Sequence, residues 1–286
     1  MTTMDAKAIL LEALDERWRK FRIQRKACRA EFSAEAVHDL PVSTRRLLAV
    51  FDLLSSLFTH KRIQKVRREL KDQLDDLDSL RDTQVLLADI SEFILEVPEL
   101  RSFQERLRKN EISLLRRTRA LIKSHKVGKL GERLEKIREM IAVLPDQTIG
   151  AQLPAAADLR FARVLETYAA MDTENIPSIH KLRVAFKKFR YTVEIIQPLL
   201  ENFPTENFKQ MHDYQSMMGD IQDLEVASEQ WADFKDRASL SNPELVTDHY
   251  ASRLRTAVMN FIEDKAEVLT FWRNRPEEPF PWEKPV

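Results

Sequence analysis

Apolar residues recur at three- and four-residue spacing along almost the whole chain. An α-helix with that period turns one stripe towards a core and leaves the opposite face to water. The spacing predicts helices near 6–31, 36–57, 62–96, 99–124 and 128–143, then near 156–171, 178–200, 205–218, 220–238 and 243–271. A break is expected in the third near Asp78. Pro98, Pro177, Pro204 and Pro243 stand at helix starts, where the missing amide costs little. Between the two groups, LPDQTIGAQLPAAAD (144–158) carries two prolines and a glycine and reads as a linker. The expected organisation is a first helical half over 1–144, a linker over 145–157, a second half over 158–275 and a Pro-rich tail over 276–286. In that tail, Phe280 and Trp282 are placed to cap a neighbouring groove.

Composition strengthens the all-α reading. Only Gly128, Gly131, Gly150 and Gly219 are present in 286 residues. Tight sheet turns and phosphate-cradling loops both depend on glycine, so both readings lose ground. Cys28 is the only cysteine, which excludes an internal disulfide and a thiolate metal cluster and points to a reducing, cytoplasmic setting. The N-terminal stretch MTTMDAKAILLEALDERWRK lacks the apolar core of a signal peptide. No run of about 18 apolar residues exists, so no membrane span is expected.

Lys plus Arg and Asp plus Glu each number 46, so the net charge is zero. The charge is nonetheless uneven. Residues 101–138 are basic and residues 201–248 acidic, with Asp213, Asp220, Asp223 and Glu225 among the acids. A neutral sum thus hides local fields that an anionic ligand would sense.

The strongest local concentration is IHKLRVAFKKFRY, residues 179–191, with one histidine and five cations. At about 100° per residue, His180, Arg183, Lys187, Arg190 and Tyr191 fall on one arc, with Lys188 on its flank. Leu182, Phe186, Phe189, Val193 and Ile196 occupy the other side. Like charges at this spacing destabilise a helix by about 0.2–0.5 kcal/mol per pair. Elsewhere the chain relieves such repulsion by interleaving glutamates, as in ERLEKIRE from Glu132. Here the acids are missing, so another helix or a polyanion must supply the counter-charge. A plain solvated basic face is the competing reading.

A second copy of the pattern argues against that competitor. VHDLPVSTRRLLAVFDLL from Val37 aligns without a gap with IHKLRVAFKKFRYTVEII from Ile179. His38 matches His180, while Arg45 and Arg46 match Lys187 and Lys188. Some forty residues later in each half, LRDTQVL from Leu80 faces IQDLEVA from Ile221. Two landmarks in the same order indicate an internal duplication. The first copy is degraded, since Pro41, Leu48 and Ala49 replace Arg183, Arg190 and Tyr191. Pro41 also predicts a helix start or kink near Asp39.

These paired, histidine-led basic helices, each followed by an Arg-Asp-x-x-Val type segment, resemble the conserved histidine α-helical domain, or CHAD, family. The resemblance spans both halves and the linker. Asp78 stands where the family usually has glycine, and Gln222 replaces the arginine that Arg81 keeps in the first half. The resemblance implies two pseudo-symmetric helical bundles around a basic central groove or pore that binds inorganic polyphosphate. Carried over, the ligand-facing set is His38, Arg45, Arg46, His180, Arg183, Lys187, Lys188, Arg190 and Tyr191, with Arg81 either a member or a structural ion-pair partner. It implies no catalytic residue, metal or cofactor, and a stand-alone binder associated with polyphosphate granules. The chemistry suits a polymer without bases, because arginine offers a bidentate fork and lysine a mobile point charge.

Three rivals remain. His38-Asp39 and His212-Asp213 are His-Asp pairs of the kind used by metal-dependent phosphohydrolases, but a two-residue motif is weak support, and lone histidines are more often surface or capping groups. The basic 101–138 region could attract nucleic acid, yet Phe103 is the one aromatic there, so base stacking is poorly served and nucleic acid is disfavoured. A helical scaffold would instead satisfy Arg183 and Lys187 with carboxylates of a protein partner or of its own acidic segment.

Overall fold

A computed structural model describes residues 5–125, 127–238 and 240–283. Among them lie nine α-helices and no strand. They are α1 (Ala6–Ala30), α2 (Ala34–Leu57), α3 (Lys61–Phe93), α4 (Leu100–Ser124), α5 (Val127–Ala142), α6 (Asp146–Ala169), α7 (Ile176–Ile196), α8 (Glu206–Lys235) and α9 (Pro243–Asp264). Local chemistry sets several starts. Asp5 accepts from Lys7 N at 2.9 Å, and Ser33 accepts from Ala36 N at 3.2 Å, each satisfying a first-turn amide. His60 does the same for Arg62 N through Nδ1, which gives this lone histidine its capping role. Pro177 and Pro243 sit in the first turns of α7 and α9.

Several local expectations are not met. The stretch expected as a linker is helical from Asp146 onward, with Pro154 inside α6. Ile149, Leu153, Ala156 and Ala157 are buried along one stripe, and that burial outweighs the amide lost at the proline. The break expected in α3 near Asp78 is absent, as is the gap between residues 218 and 220 in α8. Of the start or kink expected near Asp39, the start is excluded, since α2 begins seven residues before Pro41 and runs through it.

Consecutive helices pack on one another, α1 on α2, α2 on α3 and α3 on α4, then α6 on α7, α7 on α8 and α8 on α9. Across the sequence halves, α2 meets α7 and α3 meets α8. Two buried clusters result, and neither divides at the halves. One takes Leu47, Val50 and Phe51 from α2 with Phe186, Phe189 and Val193 from α7; the other takes Leu86 and Ile90 from α3 with Leu224 and Trp231 from α8.

The packing under α7 fixes the direction of its cations. Phe186 lies 4.9 Å from Tyr214 and 5.5 Å from Phe271, and Phe189 lies 4.9 Å from Phe161 and 5.5 Å from Trp272. Such a buried aromatic set resists rotation of the helix, because any turn would expose rings and open cavities. Trp272 and Arg273 also bind Asp158 of α6, at 2.8 and 2.7 Å. Phe280 and Trp282 stack on each other at 4.6 Å and cover Trp272 and Phe203; residues 284–286 of the tail lie outside the described residues. No described helix is long and apolar enough to cross a membrane.

Candidate functional site

The polar face of α7 opens onto a cavity of about 800 Å³. From α7 it is lined by His180, Arg183, Val184, Lys187, Lys188 and Tyr191, at the three- and four-residue spacing of a single helical face. From α2 come Arg45, Leu48, Ala49 and Asp52, again one stripe. The N-terminal half of α3 adds Arg67, Arg68 and Lys71, and α6 adds Arg160. Eight Lys and Arg side chains thus face three carboxylates, Asp52, Asp75 and Asp78. Asp78 is engaged by Arg45 Nη2 at 3.0 Å, and Asp52 by Arg67 Nε.

A smaller cavity of about 310 Å³ adjoins it and shares Arg45, Asp78, His180, Arg183 and Lys187. Its remaining wall belongs to α3 and α8, with Arg81, Asp82, Gln222 and Asp223. The two spaces therefore meet at a waist formed by Arg45, Arg183 and Lys187. Arg183 lies along α8 at Gly219, where an added Cβ would stand 3.7 Å from the guanidinium. Its Nε is buried without a hydrogen-bond partner.

The charges at the waist are neutralised only in part. Among the described residues neither Arg183 nor Lys187 makes an ion pair, in contrast to Arg45 with Asp78. Burial, reinforced by Arg45, Arg183, Arg81 and Arg190, pushes the Lys187 ammonium from 10.5 down to about 7. Burial also holds the guanidiniums of Arg45 and Arg183 below their ordinary value. On the α8 side, burial raises Asp223 against the pull of Arg81 and Arg183, and it raises Asp82 with help from Asp78. A desolvated cluster of like charges is costly, and bound anion oxygens would lower that cost.

The sequence profile of the CHAD domain matches residues 12–232. This chain belongs to the CHAD domain family. Two solved structures have similar folds at 16% identity. The CHAD domain from the plant Ricinus communis superposes with a TM-score of 0.64 over 91% of this chain and 86% of its own. PptA from Streptomyces chartreusis gives 0.65 over 90% and 98%. At that identity the likeness carries the fold. No curated protein matches.

In this CHAD domain, seven of the ten side chains singled out from sequence line the two cavities: Arg45, Arg81, His180, Arg183, Lys187, Lys188 and Tyr191. His38, Arg46 and Arg190 do not. His38 is exposed and its Nδ1 lies 3.1 Å from Asp39, a neighbour that α7 replaces with Lys181. Arg46 is exposed on the flank of α2, towards Arg17. Arg190 shares the α7 face but is buried, because α8 closes over that turn; its Nη1 meets His212 Nδ1 at 3.1 Å and its Nε lies 3.6 Å from Glu194. The Arg190 guanidinium also stands 5.2 Å from the Tyr191 ring, so it positions the tyrosine from beneath.

Sequence reasoning missed Arg67, Arg68, Lys71 and Arg160. The run KVRRELK from Lys65 carries the first three at helical spacing, so the signal was present. Only the packing of α3 beside α2 shows which of its faces joins the site.

Proposed function

We propose that this CHAD domain binds inorganic polyphosphate in the larger cavity and its waist, without hydrolysing it. The observation that carries the reading is the charge imbalance: eight cationic side chains against three carboxylates, with two of those acids already engaged. A flexible polymer of phosphates matches such a surface, since every repeat brings oxygens for arginine forks and lysine ammonium groups. Tyr191 and His180 would add neutral or switchable donors. The contacts of α2 with α7 and of α3 with α8 support the duplication read from sequence, as they pair equivalent helices.

The rivals fare less well. Phe103 is buried against Trp231, so it offers no stacking surface to a base, and the cations of 101–138 line neither of the two cavities. His212 is occupied by Arg190, and His38 is hydrogen-bonded to its neighbour Asp39. The acids of α8 do approach Arg183, yet they leave it and Lys187 without an ion pair among the described residues.

Titration calorimetry with long-chain polyphosphate tests the reading. The wild type binds at low salt, with affinity falling steeply as salt rises because counterions are released. Arg68→Glu/Lys71→Glu/Lys188→Glu reverses three exposed cations and should weaken binding by about a hundredfold without unfolding the protein. Equal affinity in both proteins rejects the site. Phosphate release from polyphosphate with added Mg²⁺ or Mn²⁺ rejects the non-catalytic part.

A further inference from the structure

The two cavities differ in charge balance. In the larger one, cations outnumber carboxylates eight to three. In the smaller one the balance is four to three, and because Arg45, Arg183, Lys187 and Asp78 are shared with the larger cavity, Arg81 is the single cation that its own wall adds. Against it that wall adds Asp82 from α3 and Asp223 from α8, with Gln222 beside them. Gln222 occupies the position equivalent to Arg81 in the second half, so the wall lacks the cation that a symmetric repeat would have placed there. Asp220 is near enough to feel the charges of both Asp223 and Arg183.

Resting on the polyphosphate reading above, we propose that the ligand path is one-sided. The polymer lies in the α2–α3–α6–α7 cavity, reaches Arg183 and Lys187, and is turned back there by Asp82 and Asp223. These two carboxylates are specificity-determining residues, setting how much of a long chain the domain can hold.

Asp82 and Asp223 make no ion pair among the described residues, so their charge remains to act on a ligand. Burial already disfavours their charged forms, and a neighbouring phosphate would disfavour them further. Arg81 faces both acids and Arg183 faces Asp223, so their positive field is partly spent before a phosphate arrives. A phosphate entering the small cavity would therefore need proton uptake by an aspartate or would meet direct repulsion. In the larger cavity, only Asp75 of the three acids lacks an arginine partner.

The test measures affinity and its salt dependence with tripolyphosphate and with long-chain polyphosphate. Three proteins are compared: wild type, Asp82→Asn/Asp223→Asn and Gln222→Arg. In the double variant the long chain should bind about tenfold more tightly, while tripolyphosphate changes by less than about twofold. The slope of log affinity against log salt should steepen by about one to two phosphate contacts for the long chain only. Gln222→Arg adds a cation without removing an acid and should move the long-chain slope in the same direction. It keeps the question decidable if the double variant folds poorly.

Long-chain affinity and slope unchanged in both variants overturn the one-sided path while leaving the binding site intact. An equal gain for the short and long ligands overturns it as well, since that is a general field effect. Failure of the wild type to bind any polyphosphate is a different outcome. It ends the underlying reading, and this one with it.

Discussion

The sequences of α2 and α7 align without a gap, yet the molecule uses the two helices differently. α7 brings His180, Arg183, Lys187, Lys188 and Tyr191 to the cavity, whereas α2 brings one cation, Arg45, beside Leu48, Ala49 and Asp52. Arg45 is matched by Asp78, while Arg183 and Lys187 have no such partner among the described residues. The lining stripe of α2 also begins at Arg45, the equivalent of Lys187, so the α2 turns equivalent to His180 and Arg183 stand outside it. One helix has its charge neutralised and serves as a wall. The other holds its charge unneutralised and can serve a ligand. Similar residues are thus insufficient for similar roles, because the acids on neighbouring helices decide which cations remain free.

Charge reversal on the two helices should separate these roles most widely. Arg183→Glu/Lys187→Glu is expected to lower polyphosphate affinity by about a hundredfold or more, because it removes two unpaired cations and adds two acids at the waist. Arg45→Gln should cost only about fivefold, since Asp78 already draws on that guanidinium. Calorimetry at fixed low salt checks both, and equal losses would erase the distinction. The opposite manipulation restores cationic character to α2. Leu48 lines the cavity, so Leu48→Arg should tighten binding by about fivefold and steepen the salt slope by about one contact.

The unneutralised charge of α7 also has a cost in stability, and pH reveals its sign. Lys187 has a folded-state value of about 7 against 10.5 in the ordinary state. Between those values the unfolded chain binds more protons at this site, so the group's contribution to stability rises as pH climbs through that window. Below about 7 the folded protein carries the full cost of the buried charge. Lys187→Met should therefore raise the melting temperature at pH 6 and lose most of that advantage by pH 10, while weakening polyphosphate binding. Wild-type affinity should run the other way, full below about pH 7 and falling above it, since the bound polyanion needs the protonated amine. Thermal melts and titrations over the same pH series check the two signs together. The smallest effect is expected at His38. It lines neither cavity, so His38→Ala should change affinity by less than about twofold, whereas the matched His180→Ala should exceed that.

Much of this was legible in the sequence, for reasons that particular elements make plain. The period of α7 separated Phe186 and Phe189 from Arg183 and Lys187, and the aromatic packing beneath the helix holds that separation. What failed was punctuation. Pro145, Gly150 and Pro154 read as a linker, while Ile149, Leu153, Ala156 and Ala157 carried a helical stripe in the same stretch. Gly219 read as a break but lies mid-helix, where the Arg183 guanidinium packs beside it. Arg190 was placed with the ligand-facing cations because its angle on α7 is right. Its burial comes from α8 and its link to His212, a contact between helices that a single-helix projection cannot contain. Arg67, Arg68 and Lys71 were overlooked for the same reason. Their spacing is visible, but their neighbour is not.

The account depends on a buried cluster of cations that the protein itself leaves unneutralised and that a phosphate polymer relieves. The ammonium of Lys187 reports on that cluster directly. Following its titration by NMR, with and without long-chain polyphosphate, should give a value of about 7 in the free protein and a clear rise towards 10.5 once the polymer is bound. A lysine that titrates near 10.5 in the free protein, or one that does not respond to the polymer, would contradict it.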